Sequence, residues 1–183
     1  MNKDLNSALD RFRQQNERWQ SLVAPLSERQ RHWKPGPKKW SIAEVADHLI
    51  RTGEPYLSRL STSRSRANRA SQGMSYKPTM IGGYLIKAVE PGTKPVPAPG
   101  AFRPGVDGAR SGVFSELERI NAALEQEYQA WEDLDLNAPR FGSPATSLIR
   151  MKPGDALMLL APHMHRHVDQ MERVIQSPGF PVE

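Results

Sequence analysis

The chain has 183 residues, of which 38% are hydrophobic, and a formal net charge of +5. It contains no cysteine, which excludes disulfides, thiolate metal ligands and a cysteine nucleophile. No apolar run reaches the ~18 residues of a membrane span, and the charged N-terminal segment lacks a signal-peptide core. We therefore expect one cytoplasmic domain over residues 1–183, without membrane contact.

The first predicted helix covers residues 2–23. Its apolar residues recur at helical spacing, with charged and amide side chains between them, and Pro25 ends it. The next segment, residues 31–39, contains a Pro-Gly-Pro turn and is interpreted as a loop. His32 in this loop is expected to be solvated and is not a candidate ligand.

The second predicted helix starts at Ser41. Glu44 follows three residues later, the pattern of a capping box. His48 lies on the edge of the apolar side that follows. Pro55 predicts a kink or an early end near Gly53.

The middle of the chain is predicted to be largely irregular. Residues 61–77 are rich in serine and arginine, residues 80–89 form one or two helical turns, and residues 91–112 hold many prolines and glycines. The basic residues in the first of these segments are Arg64, Arg66 and Arg69. They are interpreted as a solvated loop, or alternatively as an anion-binding lip beside an active site.

Two more long helices are predicted over residues 113–136 and 155–176, with a loop over residues 137–154 between them. Pro162 should bend the last helix. The predicted fold class is all-α, a four-helix bundle. Roughly 50 residues separate its second and third helices, and a long crossover of this kind lets these two helices run parallel.

Three of the five histidines lie in the fourth helix. At ~100° per residue, His163 and His167 fall in the middle of its apolar stripe, whereas His165 and Asp169 point to the opposite side and should be at the surface. Buried imidazoles need partners. A pair four residues apart can share a metal ion, although simple hydrogen bonding in the core is the alternative.

His48 of the second helix would complete a trihistidine site. Three neutral imidazoles leave a coordination position open, as in reactive rather than structural sites, and this ligand type favours zinc, nickel, iron or cobalt. Glu44 and Gln170 are the catalytic candidates. Glu44 could be a general base or serve only the capping box. Gln170 could orient a ligand ring or a bound water, or satisfy a contact between helices or subunits.

Two sequence blocks resemble a known family. The block WSIAEVADHL at residues 40–49 resembles the "kWSi.evl.HL" block of the DinB-like (DinB/YfiT-like) superfamily, and HMHRHVDQMERV at residues 163–174 resembles its closing "H...H..Q.erv" block. Their order and spacing match, and the resemblance spans nearly the whole chain. It implies an up-down-down-up bundle with the long crossover joining helices two and three. It also implies a divalent metal, often zinc, nickel or iron, held by His48, His163 and His167.

The family resembled includes thiol-dependent transferases and isomerases and many metal-dependent hydrolases, and many of its members are dimers. The resemblance thus implies a metal-dependent hydrolase or thiol-dependent transferase, a homodimer acting on a small molecule, whose cation activates water or a thiol cosubstrate. Because the chain has no cysteine, the thiol must arrive as a small molecule. A binding or sensing bundle without turnover is one alternative. Nucleic-acid binding through the three loop arginines is another, disfavoured because the positive charge is spread along the chain.

Overall fold

The computed structural model describes residues 3–94, 96–105 and 108–182, and these are mostly helical. Residue 2 of the first predicted helix and residues 95, 106 and 107 of the irregular stretch lie outside this range. The helices are α1 (Lys3–Val23), α2 (Glu28–His32), α3 (Ile42–Arg64), α4 (Met80–Ala88), α5 (Val113–Ala130) and α6 (Pro153–Ile175). A 3-10 helix covers Gly100–Phe102, and two strands are β1 (Phe141–Ser143) and β2 (Thr146–Met151).

The four long helices, α1, α3, α5 and α6, enclose one hydrophobic core. The most extensive contacts join α1 to α6 and α3 to α5, and α3 also packs on α6. The largest fully buried side chains include Phe12, Trp19, Ile50, Leu60, Leu117, Ile120, Leu124 and Tyr128. Across the described residues, no helix combines the length and apolar character that spanning a bilayer would take.

The face of α6 opposite the histidine pair is covered by α1. Arg18 Nη1 donates to Asp169 Oδ1 at 2.7 Å, and Arg11 Nε donates to His165 Nδ1 at 3.3 Å. The side chains of His165 and Asp169 are 31% and 24% exposed. The prediction that both are simply at the surface is therefore wrong, because α6 packs against α1 on this side and against α3 on the side of the histidine pair.

Of the two outcomes predicted at Pro55, a kink or an early end, helix α3 does not show the early end. It does not end near Gly53 but continues past Pro55 to Arg64. A Cβ at Gly53 would lie only 3.1 Å from Ile120 and 3.3 Å from Leu124, so α3 and α5 approach closely here. This packing holds the helix together across a proline that removes one backbone hydrogen bond.

Helix α5 is shorter than predicted and ends at Ala130. The chain beyond it pairs with the segment after α3. Ala70 N donates to Asp133 O and Asp135 N donates to Asn68 O, both at 2.9 Å. Residues 131–136 make these bonds in place of another helical turn.

The predicted loop over residues 137–154 contains a β-hairpin. Strands β1 and β2 pair antiparallel, with Phe141 opposite Met151 and Gly142 opposite Arg150. Phe141 and Met151 are buried and join the core. Helix α6 then starts two residues earlier than predicted, with Pro153 in its first turn. Proline is tolerated there because backbone N–H groups of the first turn have no acceptor within the helix. The chain is thus mostly helical rather than all-α.

Candidate metal centre

Three buried histidine rings meet between α3 and α6. His48 Nε2 lies 3.2 Å from His163 Nε2 and 3.1 Å from His167 Nε2. One nitrogen of each ring lies within 4.8 Å of the others, a spacing that could hold a metal ion. The three side chains are only 3%, 8% and 8% exposed. The structure therefore brings together the three histidines singled out from the sequence.

The hydrogen bonds at the outer nitrogens define the tautomers of two rings. His48 Nδ1 lies 2.7 Å from the carbonyl oxygen of Phe102, which can only accept, so this nitrogen carries the proton. His167 Nδ1 lies 2.9 Å from Gln170 Oε1 and donates to it in the same way. Both Nε2 atoms are then unprotonated, and two lone pairs face each other at 3.1 Å without a hydrogen between them.

A divalent cation fits this arrangement. Metal–imidazole bonds of about 2.0–2.1 Å at near-tetrahedral angles place two bound nitrogens roughly 3.1–3.4 Å apart. The Nε2 distances from His48 to the other two rings are 3.2 and 3.1 Å. A neutral imidazole donor set without thiolates suits zinc, nickel or iron better than magnesium or calcium.

Burial keeps the three rings neutral. It lowers the pKa of His48 below its usual 6.5. The pKa values of His163 and His167 lie well below 6.5, first because burial penalises the charged ring and then because the neighbouring imidazoles repel a second charge. At neutral pH the rings therefore offer lone pairs rather than protons.

Next to His48, a completely buried carboxylate anchors the segment between α4 and α5. Asp47 Oδ2 accepts from Arg51 Nε at 2.7 Å and from Gly105 N at 3.3 Å, and Oδ1 accepts from Arg110 Nε at 2.6 Å. Burial by itself raises the pKa of Asp47, but the hydrogen bonds and charges of the two arginines outweigh burial and lower the pKa. Consecutive residues of α3 thus both hold this segment, Asp47 through the Gly105 amide and the Arg110 side chain, and His48 through the Phe102 carbonyl.

Sequence reasoning missed two groups that position His48. The Trp40 ring lies against it, with centroids 5.1 Å apart, and Phe102 supplies its backbone acceptor. Trp40 stands one residue before the capping box, where a packing role was recognisable but its ring partner was not. A carbonyl acceptor leaves no signal in residue types, because every residue has one.

The centre opens on a cavity of about 950 Å³, within the size range of small-molecule sites. All three histidines and Gln170 line it. Its other lining residues include Lys38, Lys39, Trp40, Thr52, Tyr56, Tyr84, Leu85, Val89, Val96, Phe102, Ile149, Leu159, Arg166 and Arg173.

The two catalytic candidates occupy different places. Glu44 makes the capping box, where Oε2 accepts from Ser41 N at 2.8 Å and Ser41 Oγ accepts from Glu44 N at 3.1 Å. Glu44 Oε1 accepts from Lys34 Nζ at 2.7 Å, and the residue is not among those that line the cavity. Gln170 lines the cavity and holds the His167 ring.

The arginines of the 61–77 segment lie away from this cavity, among whose lining residues none of them appears. Arg64 Nε and Nη2 donate to the two oxygens of Glu127 at 3.2 and 3.1 Å. The interpretation of these arginines as a lip beside the active site therefore has no support in the described contacts.

Comparison with known proteins agrees with this picture. No curated protein matches the sequence. Among solved structures, the chain is similar to YfiT from Bacillus subtilis, described as "a probable metal-dependent hydrolase with an unusual four-helix bundle topology". The TM-score is 0.60 at 13% identity, covering 99% of this chain and 91% of that one. The family model of the DinB superfamily matches residues 11–171. The chain therefore belongs to the DinB superfamily.

Proposed function

We propose that this protein is a metal-dependent enzyme, a hydrolase or a thiol-dependent transferase, whose divalent cation is held by His48, His163 and His167. The observation that carries this proposal is the approach of the Nε2 atoms of His48 and His167 to 3.1 Å in a buried site, a pair without a proton between them when both Nδ1 atoms donate to Phe102 and Gln170. Such a pair is costly without a ligand. When bound, a zinc, nickel or iron ion supplies Lewis acidity that lowers the pKa of a coordinated water or thiol.

The chain's own groups have separate tasks in this proposal. Gln170 and the Phe102 carbonyl each hold a proton at Nδ1, so that His167 and His48 present their Nε2 lone pairs. Both oxygens of Glu44 already have partners. Its contacts support the capping role, and a general-base role for Glu44 stays a prediction.

Metal content is the decisive test. Protein expressed without a histidine tag should contain about one divalent ion per chain by elemental analysis. His48→Ala, His163→Ala and His167→Ala should each lose it. His32→Ala and His165→Ala are matched controls, because these two histidines lie outside the centre, and both should keep it.

Two outcomes would contradict the proposal. One is untagged protein that carries no metal and gains no thermal stability from added zinc, nickel or iron. The other is loss of metal in the His165→Ala control to the same extent as in the centre variants. The second result would indicate a site built elsewhere on α6.

The choice between hydrolase and transferase depends on the cosubstrate. With no cysteine in the chain, a thiol nucleophile has to enter the cavity as a small molecule. Chromogenic esters assayed alone, and an electrophile such as 1-chloro-2,4-dinitrobenzene assayed with low-molecular-weight thiols, separate the two reactions. A metal-dependent rate without thiol supports hydrolysis, whereas one that requires thiol supports transfer.

A binding or sensing module that uses the same centre is the alternative. It gains support if the protein binds metal stoichiometrically but no assay gives a metal-dependent rate. Nucleic-acid binding through the loop arginines has less support, because Arg64 is paired with Glu127. Salt-sensitive DNA or RNA binding that is lost on charge reversal at Arg64, Arg66 and Arg69 would restore it.

We also propose the up-down-down-up helix order within one domain over residues 1–183. Contacts between α1 and α6 pair Arg11 with His165 and Arg18 with Glu172, so residue numbers rise together along both helices, as in parallel neighbours. The ion pairs of Arg119 with Glu54 and of Arg64 with Glu127 rise together in α3 and α5. A crossover over residues 65–112 would connect the latter pair.

The remaining pairs support antiparallel neighbours. Between α3 and the chain around α6, His48 meets His167, whereas the later Tyr56 meets the earlier Met151. Between α1 and α5, the ring of Phe12 lies against that of Tyr128, whereas the later Trp19 stacks on the earlier Phe114.

A cytoplasmic homodimer completes the proposal. Met80 of α4 and Leu148 of β2 are each 90% exposed, as is common for apolar side chains at subunit contacts. Small thiols are kept reduced in the cytoplasm. Light scattering during gel filtration would give the oligomeric state, and a monomer at micromolar concentration would remove the dimer from the proposal.

A further inference from the structure

We infer that the cavity at the histidine centre binds an amphipathic anion, a small molecule with an apolar body and a carboxylate, sulfonate or phosphate group. This inference rests on the proposed function, because it assigns the substrate class of that site. It follows from the distribution of charge and apolar surface around the cavity.

The cavity carries positive charge without acidic partners. Lys38, Lys39, Arg166 and Arg173 line it, and none of its described lining residues is an aspartate or a glutamate. Elsewhere in the described chain, arginines such as Arg18 are neutralised by ion pairs. No ion pair involving the four cavity cations is found among the described residues, so their charge is available to a ligand.

Among the four cavity cations, Arg166 shows the lack of an acidic partner most directly. Its guanidinium donates to the carbonyl oxygens of Glu90 and Thr93, at 3.0 and 3.1 Å, and to Thr93 Oγ1 at 2.7 Å. All three acceptors are uncharged. The side chain is thus held at the cavity wall while its charge stays uncompensated, and an anionic ligand would supply the missing negative charge.

Much of the remaining wall is apolar. Leu85, Pro97, Ile149 and Leu159 line it, together with Tyr84 and Val96. The last two are 66% and 64% exposed. Large apolar side chains left in contact with water beside a cavity gain free energy when an apolar ligand covers them.

Along α6 the cavity wall includes both an apolar and a cationic side chain. Leu159, His163, His167, Gln170 and Arg173 follow one another at spacings of three and four, and all line the cavity. At 1.5 Å rise per residue this stripe is roughly 21 Å long. The histidine centre lies between its apolar start and its cationic end. A bound amphipathic anion therefore places its head group near Arg173 and its body near Leu159.

A matched pair of fluorescent probes tests the inference. The probes are 8-anilinonaphthalene-1-sulfonate and N-phenyl-1-naphthylamine, which share the apolar body and differ in the sulfonate. Titrations at low salt, with zinc-loaded and with chelator-treated full-length protein, should show the sulfonate binding at least about threefold more tightly in both forms. Added salt should weaken the sulfonate alone, because it screens charge.

Variants locate the effect. Combined Lys38→Gln, Lys39→Gln and Arg173→Gln substitutions should weaken sulfonate binding about three- to tenfold and leave the neutral probe within about twofold. Arg59→Gln is the matched control, because Arg59 is an exposed cation of α3 outside the cavity lining. It should change neither affinity. Circular dichroism spectra verify that each variant is folded.

Equal affinities for the two probes would overturn the inference, as would equal losses for both probes in the triple variant. Preference for the sulfonate only in zinc-loaded protein would also overturn it, because the anion would then bind to the zinc ion rather than to the lysine and arginine side chains. Failure of the proposed function is a separate result, since protein that holds no metal can still prefer the sulfonate probe.

Discussion

Helix α6 carries two buried polar clusters whose hydrogen bonding differs completely. At its start, Asp155 is fully buried and accepts four hydrogen bonds. Tyr76 Oη at 2.7 Å and Thr79 N at 3.0 Å donate to Oδ1, and Thr79 Oγ1 at 2.8 Å and Lys152 N at 3.0 Å donate to Oδ2. Two turns later, in the histidine cluster, the Nε2 atoms of His48 and His167 face each other as two hydrogen-bond acceptors.

This comparison distinguishes a cluster that stabilises the fold from one that is suited to bind a ligand. A buried carboxylate with every oxygen satisfied pins α4 and the hairpin end to α6, and it needs nothing from outside the chain. His48 and His167 have partners outside the cluster, Phe102 and Gln170, whereas their Nε2 atoms meet only other imidazole nitrogens. Two polar clusters of similar burial thus differ in whether each acceptor lone pair has a hydrogen-bond donor within the chain.

The largest effect should come from breaking the satisfied cluster. Asp155→Ala leaves four donors without their acceptor and should lower the free energy of unfolding by about 3 kcal/mol or more. His163→Leu, measured in chelator-treated protein, should cost less than about 1 kcal/mol, because an apolar side chain replaces a buried ring whose contact at Nε2 is with another histidine of the centre. Urea denaturation compares the two. Equal losses would remove the distinction between the clusters.

Metal binding should stabilise the protein by an amount that depends on pH. At a free ion concentration of 100 times Kd the gain is about 2.7 kcal/mol. Because burial holds the pKa values of the histidine rings below 6.5, the rings are neutral at pH 7.5 and the gain is complete there. It should shrink at more acid pH, once the pH falls through the lowered pKa values of the folded rings and protons compete for Nε2.

The stability of the metal-free protein should also fall toward acid pH. Its unfolded histidines take up protons near pH 6.5, before the folded ones do, so stability falls as the pH drops through 6.5 and recovers as it rises. Thermal melts between pH 5 and 8, with and without zinc, measure both effects. A zinc-induced shift that grows toward acid pH would contradict the assignment of these rings as ligands.

Crowding the satisfied cluster should have an intermediate effect. A Cβ at Gly82 would overlap the Asp155 carboxylate, so Gly82→Ala should destabilise the protein by about 1–3 kcal/mol. The neighbouring Gly83 is the control, because its Cβ would come no closer than 3.6 Å to Pro78. Gly83→Ala should be neutral or stabilising by up to about 1 kcal/mol. Similar melting curves for both variants would show that Asp155 is not tightly held.

The smallest change in stability is expected at Gln170. Gln170→Ala removes the acceptor that holds His167 Nδ1 and should weaken zinc affinity about tenfold. It should alter the unfolding free energy of metal-free protein by less than about 0.5 kcal/mol, because the side chain is partly exposed. Gln170→Glu keeps an acceptor oxygen and should restore the affinity. Calorimetric zinc titrations distinguish this role from a purely structural one, for which all three proteins would bind alike.

The sequence was most informative where side-chain type carries the chemistry. His163 and His167 share a face because helical periodicity is a local property, and the capping box at Ser41 fixes where α3 begins. The meeting of His48 with this pair depends on how α3 packs against α6. The residue types made a trihistidine site a reasonable hypothesis, and the resemblance to a known family supported it, but periodicity alone does not specify that packing.

Other features could not be predicted because tertiary contacts decide them. Packing on α5 carries α3 past Pro55, and pairing with residues 68–70 ends α5 early. The hairpin has one strand of three residues, and most of the second strand is exposed, so neither shows a strong alternation. The Phe102 acceptor depends on the course of an irregular segment that no residue pattern specifies.

The grip of Asp47 and His48 on one irregular segment has a practical consequence. These two adjacent anchors hold the backbone at Phe102 and the chain beyond it at Gly105 and Arg110, so the residues just before Phe102 can vary while the His48 ring keeps its orientation. Redesign of the cavity could therefore begin with residues 96–99, which line it, with the three histidines left unchanged.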